Sequence, residues 1–161
     1  MASFGIALQW TLDFEDPQRK YAVEPDVGGY AVAGVNSHVF PQDYVEIAAA
    51  PVDARPALVA TFYRTHFWNK WLEQLTGDEL AKRVFDAGVN MGTGTAVKLL
   101  QAALQCPVDG TWGPLTMQAA NTRPEAVEAF KTYRCEHYRF IAEHDATKQK
   151  YLVGWLSRAG K

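Results

Sequence analysis

The stretch Arg83–Ala120, "RVFDAGVNMGTGTAVKLLQAALQCPVDGTWGPLTMQAA", sets helical segments in a row and parts each from the next with glycine or proline. Its first part continues a helix that opens near Thr76 and carries Leu80, Val84 and Phe85, and "VNMGTG" breaks that helix at Asn90 to Gly94. Val97, Leu100 and Leu104 follow at intervals of three and four, the spacing that puts side chains on one helix face. "CPVDGTWGP" then turns the chain, with Asp109-Gly110 and Gly113-Pro114 as its signals. Pro114 suits the first position of a short helix through Met117.

The same pattern extends outward. On the C-terminal side Thr122 and Glu125 read as a capping box around Pro124, opening a long helix through Phe130, Tyr133, His137 and Ile141. A last helix carries Tyr151, Leu152 and Trp155. On the N-terminal side Val59, Tyr63, His66, Phe67, Lys70 and Trp71 keep helical spacing, and Thr76 with Glu79 reads as a second capping box. Phe4, Leu8, Thr11 and Leu12 form a first amphipathic helix behind Ser3, ended by Pro17. From Asp16 to Pro56 no helical period is sustained, and glycines and prolines punctuate a segment with room for a short hairpin around "YAVAGVN". The expectation is a mainly α chain of six or seven helices, a single compact unit over 1–161 with a short irregular or hairpin N-terminal segment.

Composition bounds the function. A chain of 161 residues, 48% hydrophobic with five Trp, seven Tyr and eight Phe, has material for one real core. The formal charge is -2 and the basic residues are scattered, so no phosphate-binding face is expected and nucleic acid is not an expected partner. "MASFGIALQWTLDFED" lacks a basic leader and its apolar run is interrupted by Gln9 and Asp13; neither a signal peptide nor a membrane span is expected, and synthesis in the cytoplasm is. Cys106 and Cys135 have no CxxC relation and are expected as free buried thiols. His38, His66, His137 and His144 have no metal-ligand spacing, so no metal site is expected. Ser37 beside His38 lacks a nucleophile-elbow context, and Gly92 and Gly94 lack the strand and lysine of a phosphate loop.

Acids are the more informative candidates. Glu15 follows Thr11 and Leu12 by four and three residues, so it projects from the apolar stripe of its helix toward the interior, where a proton-donating carboxyl is useful. An ordinary helix-end acid is the other reading. Asp13 and Asp16 point away from that stripe and suit solvation or capping. Glu24 and Asp26 precede Gly28-Gly29, where missing side chains let backbone approach a ligand; either is a second carboxylate or a turn acid. Most aromatics at helical spacing belong to the core, whereas Tyr30 and Trp112, beside glycines, are placed to stack on sugar rings.

The segment Arg83–Ala120 resembles the peptidoglycan-binding half of the family 108 glycoside hydrolases, muramidases of phage endolysins and bacterial secretion-activating proteins. Their pattern, F-D-x-x-V-N-x-G, then L-Q-x-A-L, then V-D-G-x-x-G-P-x-T, is met by Phe85, Asp86, Val89, Asn90, Gly92, Leu100, Gln101, Ala103, Leu104, Val108, Asp109, Gly110, Gly113, Pro114 and Thr116. "FYRTHFWNKW" is similar to the family's Y-x-x-x-Y/F-W through Tyr63, Phe67 and Trp68, and "YLVGWLSR" to its G-W-x-x-R through Gly154, Trp155 and Arg158. The N-terminal motif departs from the family. "FEDPQRKY" stands for H-E-G-G-Y, with Glu15 at the glutamate and Tyr21 at the tyrosine after an insertion, and Asp26 takes the acidic position before Gly28-Gly29. Of the family's two following threonines, the first falls on Ala31 and the second on Asn36.

The resemblance implies a lysozyme-like fold with a catalytic half over 1–82 and a peptidoglycan-binding helical half over 83–161. It implies cleavage of the β-1,4 link between N-acetylmuramic acid and N-acetylglucosamine, with no metal or organic cofactor. Glu15 would be the general acid, and Asp26, with Asn36, would hold a water or stabilise the oxocarbenium-like state. Asn90 would hydrogen-bond an acetamido group in the sugar groove, Tyr30 would stack on a sugar ring, and Tyr63 and Trp68 would line the cleft or support it, while Asp86 and Trp155 would knit the core. The partner implied is the glycan strand of peptidoglycan, met by a monomer in the periplasm or at the cell wall after holin-type or dedicated export. The replaced residues after Glu15 and at Ala31 keep a second reading open, a degenerate member that binds peptidoglycan without turning it over.

Overall fold

Helix α1, Phe4–Glu15, ends two residues before Pro17, and the chain then folds back on the helix end. Arg19 makes this turn: Nη1 donates to the carbonyls of Leu12 and Asp16, each at 2.7 Å, and Nη2 to that of Gln9 at 2.9 Å. A guanidinium there adds donors to carbonyls at the helix end and meets the negative end of its dipole. The Asp16 carboxylate accepts from the backbone N–H groups of Lys20 (3.0 Å) and Tyr21 (2.7 Å), closing the inserted loop. The computed structural model describes residues 1–161.

Three short antiparallel strands follow in the order β1 (Val23–Asp26), β2 (Gly29–Val32) and β3 (Val35–Asn36). The register sets Glu24 opposite Ala31, Asp26 opposite Gly29, and Ala31 opposite Asn36. Each strand pair is joined by two residues. In the second turn Ala33 (φ 47°) and Gly34 (φ 83°) both adopt positive φ, the backbone that a right-twisted hairpin prefers. Helix α2, Pro41–Ala49, lies in the segment expected to be irregular. Pro41 opens it in a first-turn position, but only Ile47 is buried and Val45 is exposed, so it carries no apolar stripe to read. Helix α3, Arg55–Phe67, is anchored by its first residue: Arg55 donates to the carbonyls of Tyr21, Ala48 and Ala50 at 2.8, 2.8 and 3.0 Å.

These elements form one compact unit, Phe4–Trp68; Asn69–Lys161 with Met1–Ser3 form another. The division expected at 82/83 falls inside helix α5 (Asp78–Met91), and the break comes at Trp68/Asn69. The second unit contains α4 (Lys70–Glu73), α5, α6 (Thr93–Ala103), α7 (Pro114–Thr122), α8 (Ala126–His144), a 3-10 turn at Ala146–Tyr151 and α9 (Leu152–Gly160). Nine α-helices and one small sheet make the chain mainly α, as expected. The two capping boxes do not form. α5 starts after Gly77, with no side-chain cap, and the Glu79 carboxylate is taken by Lys82 and Arg83. Thr122 is the last residue of α7 and donates back to the Gln118 carbonyl, so α8 opens after Glu125 without it.

Helices α5, α8 and α9 meet around Asp86, which is fully buried. Its carboxylate accepts from Arg134 at 2.7 Å and from Arg158 at 2.6 Å, and the Tyr138 ring stacks on Trp155 at 5.0 Å. Gln101 organises the turn after α6: its amide donates to Asp109 and Thr111, and its oxygen accepts from the N–H groups of Asp109 and Gly110. Both cysteines are free and half-buried. No helix is long and apolar enough to cross a membrane.

Candidate active site

Glu15 is the last residue of α1, one helical turn beyond Thr11 and Leu12, which are 0% and 1% exposed. The side chain is half-buried and faces a cleft of about 190 Å³ inside the Phe4–Trp68 unit. Beside it the cleft is lined by Asp16, Ala22, Glu24, Pro25, Asp26, Ala31, Ala33 and Gly34. Because side chains alternate along a strand, Glu24 and Asp26 share one face of β1, and the register sets Ala31 on that face of β2. The helix end and the hairpin therefore bring four carboxylates to one hollow, and no Lys or Arg lines it. Such a cleft favours a neutral ligand that becomes positively charged as it reacts over an anionic one.

Gly34 is what lets Glu15 come this close. A Cβ on Gly34 would stand 2.9 Å from Glu15 Oε2 and 2.5 Å from the Tyr63 hydroxyl. Tyr63 lies beneath, 0% exposed, and donates at 2.9 Å to the carbonyl of Ala33. The Ala33-Gly34 turn is thus fixed by its backbone conformation and by a buried hydrogen bond, and it floors the cleft under the acid.

Asp26 is held from two sides. Oδ1 accepts from the N–H of Val27 at 2.7 Å and Oδ2 from the side-chain amide of Asn36 at 2.9 Å. Asn36 is also occupied elsewhere: its amide donates to the Val27 carbonyl, and its oxygen accepts from the N–H groups of His38 and Val39. It orients Asp26 without lining the cleft. Asp16, expected to turn away, lines the cleft while it caps the inserted loop.

The remaining predicted contacts are dispersed. Tyr30 alternates to the hairpin face opposite Ala31 and is exposed. Trp68 is buried edge-on against Phe4, with ring centroids 5.6 Å apart, and is absent from the cleft wall. Asn90 belongs to the other unit, where its oxygen accepts from the Tyr138 hydroxyl at the margin of the Asp86 cluster. Ala33 and Gly34, which shape the cleft floor, were missed by the sequence reading as site residues. The signal was a two-residue turn inside an alternating segment. No three His, Cys, Asp or Glu side chains, those of the cleft included, are placed to hold a metal ion together.

The family described as Glycosyl hydrolase 108 matches residues 8–92, and a family described as Predicted Peptidoglycan domain matches residues 95–160. No curated protein matches the chain in sequence. The solved structure of Brucella abortus SagA is similar in fold, with a TM-score of 0.71 over 98% of this chain and 89% of that one, at 22% identity. The fold around Glu15 and the family match over more than half of the chain agree: the protein is a member of glycosyl hydrolase family 108 and carries a predicted peptidoglycan domain in its C-terminal part.

Proposed function

We propose that this glycoside hydrolase is an N-acetylmuramidase of the lysozyme type, cleaving the β-1,4 link between N-acetylmuramic acid and N-acetylglucosamine. It serves as an endolysin-like, bacteriolytic enzyme, acting as a monomer in the periplasm or at the cell wall. The observation that carries the reading is Glu15 itself, a half-buried acid at a helix end, over the glycine of a tight turn and beside two hairpin carboxylates. Glu15 gives its proton to the glycosidic oxygen as the bond to the anomeric carbon breaks. The acidic cleft stabilises the positive charge that develops on the ring, and Asp26, oriented by Asn36, holds the water and takes the proton it gives up as its oxygen bonds to that carbon.

One observation favours a second reading, in which the chain binds peptidoglycan without cleaving it. Ala31 contributes no hydroxyl to the cleft, and both Asp26 oxygens already accept hydrogen bonds. Reducing-end release from purified sacculi by the wild type and by Glu15→Gln, each checked for intact helical circular dichroism, separates the two. Cleavage by the wild type with its loss in the folded variant is expected. Binding to sacculi without release of reducing ends by either protein would establish the binder, and equal cleavage by both would move the catalyst elsewhere.

A further inference from the structure

A cavity larger than the acidic cleft lies away from it. It is a groove of about 310 Å³ inside the Asn69–Lys161 unit, between the loop entering α5 and the corner joining α7 to α8. Its volume is at the lower end of the range of about 300–1,000 Å³ typical of small-ligand sites. The floor is apolar: Leu75, Leu80 and Ala126 are 1%, 6% and 3% exposed. Asn121 ties the walls together, accepting from the N–H of Thr76 at 2.9 Å and donating to the carbonyl of Gln74 at 3.2 Å. The groove is therefore shaped before any ligand enters it, which lowers the entropy cost of binding.

Arg123 stands half-buried in the groove lining. Its guanidinium has no hydrogen-bond, ion-pair or ring partner within the protein. The one acid in the lining, Glu79, is already held by Lys82 and Arg83, each at 2.6 Å. A partly desolvated cation beside an apolar floor is unfavourable until an anion reaches it, and a planar guanidinium takes a carboxylate through two parallel hydrogen bonds. The site thus asks for a carboxylate carried next to small apolar groups.

Peptidoglycan offers that combination in its stem peptides, where alanine methyls adjoin free carboxylates, whereas on peptide-bearing strands the lactyl carboxyl of the sugar backbone is consumed in the amide bond to the peptide. We propose that this groove binds the stem peptide, with Arg123 gripping a carboxylate and the Leu75–Leu80 floor receiving an alanine methyl. The inference rests on the peptidoglycan reading above and adds to it a preference for peptide-bearing strands over bare glycan.

The test is calorimetric titration of the full chain, in the Glu15→Gln background, with a soluble disaccharide-tetrapeptide and with amidase-treated, peptide-free glycan strands. The disaccharide-tetrapeptide is expected to bind more tightly than the stripped strands. Arg123→Gln is expected to weaken that binding about tenfold or more, the loss of a charge-assisted pair, and Arg123→Lys to restore part of it. Thr122→Trp, which fills the mouth of the groove from an exposed position, is expected to weaken it as well and decides the matter if Arg123→Gln does not fold. Unchanged affinity in Arg123→Gln and Thr122→Trp, or equal affinity of the parent for stripped strands, overturns the proposal. A wild type that releases no reducing ends while the Arg123 effect persists would sink the muramidase reading and leave the groove standing.

Discussion

The Glu15 carboxylate rests over the α-carbon of Gly34, so close that a single methyl at Gly34 would stand 2.9 Å from Oε2. Gly34 is also at φ 83°, a conformation that costs side-chain-bearing residues energy. Gly34→Ala should lower stability by about 1–3 kcal/mol through strain. Activity should fall further than stability explains, because the acid is displaced. Denaturant melts and reducing-end assays on the same preparation check this, and a stable Gly34→Ala protein with normal turnover would contradict the placement of Glu15.

Tyr63 acts beneath that turn and does not touch the cleft as a sugar platform would. Tyr63→Phe leaves the Ala33 carbonyl without its buried donor, a loss of about 1–3 kcal/mol. A urea midpoint unchanged from wild type would show that the hydrogen bond does not hold the turn.

The two hairpin acids differ in how they are held. Asp26 is fixed by Val27 and Asn36, whereas no hydrogen bond or ion pair holds the Glu24 side chain. If Asp26 holds the water, Asp26→Asn should reduce kcat by about 100-fold or more, Glu24→Gln far less, and Asn36→Ala by an intermediate factor. The reverse order of Asp26 and Glu24 would assign the second carboxylate to Glu24.

Asp86 balances two arginines, Arg134 being 1% exposed with its Nη1 unpaired. Removing that countercharge leaves buried cations uncompensated, so Asp86→Ala should cost about 3–5 kcal/mol. Thermal melts report it, and a Tm within a degree or two of wild type would rule the cluster out as a structural centre.

Hydrogen bonds from the Gln101 side chain and then the Thr111 N–H hold the exposed Asp109 carboxyl below its ordinary value of 3.8. A folded-state value below the unfolded one means that the contribution is complete above about pH 3.8 and disappears as the pH falls through the folded value. The stability gap between wild type and Asp109→Asn should therefore be constant near neutrality and close below that pH. A gap that persists into stronger acid would mean that the carboxylate charge is not what Gln101 and Thr111 recognise.

The helices with strong apolar periodicity were legible in the chain: α5, α6 and the long α8 fall where Leu80, Val84, Leu100, Phe130 and Ile141 place them. So was the hairpin around "YAVAGVN", through its glycines. Helix α2 was not, because a helix with one buried residue has no stripe; the Thr76 capping box gave way to the pairing of Glu79 with Lys82 and Arg83, and the Thr122 box to the place of Thr122 at the end of α7, where it donates to the Gln118 carbonyl. A capping signal fails where the same side chain has a competing partner one helical turn away.

By itself the sequence determined that this is a mainly helical chain, that its C-terminal motifs resemble a peptidoglycan-binding half, and that Glu15 projects from an apolar stripe, since periodicity and motif spacing are local properties. The tertiary structure alone decided what surrounds that acid. Strand register put Glu24 and Asp26 on the face toward it and Tyr30 on the other, and the positive φ at Ala33 and Gly34 opened the floor beneath it. The Asn121 bridge, 45 residues long in sequence, shaped a groove that Arg123 lines. A pairing such as that of Asn121 with Thr76 depends on which distant segments pack together, and no short window of sequence contains both partners.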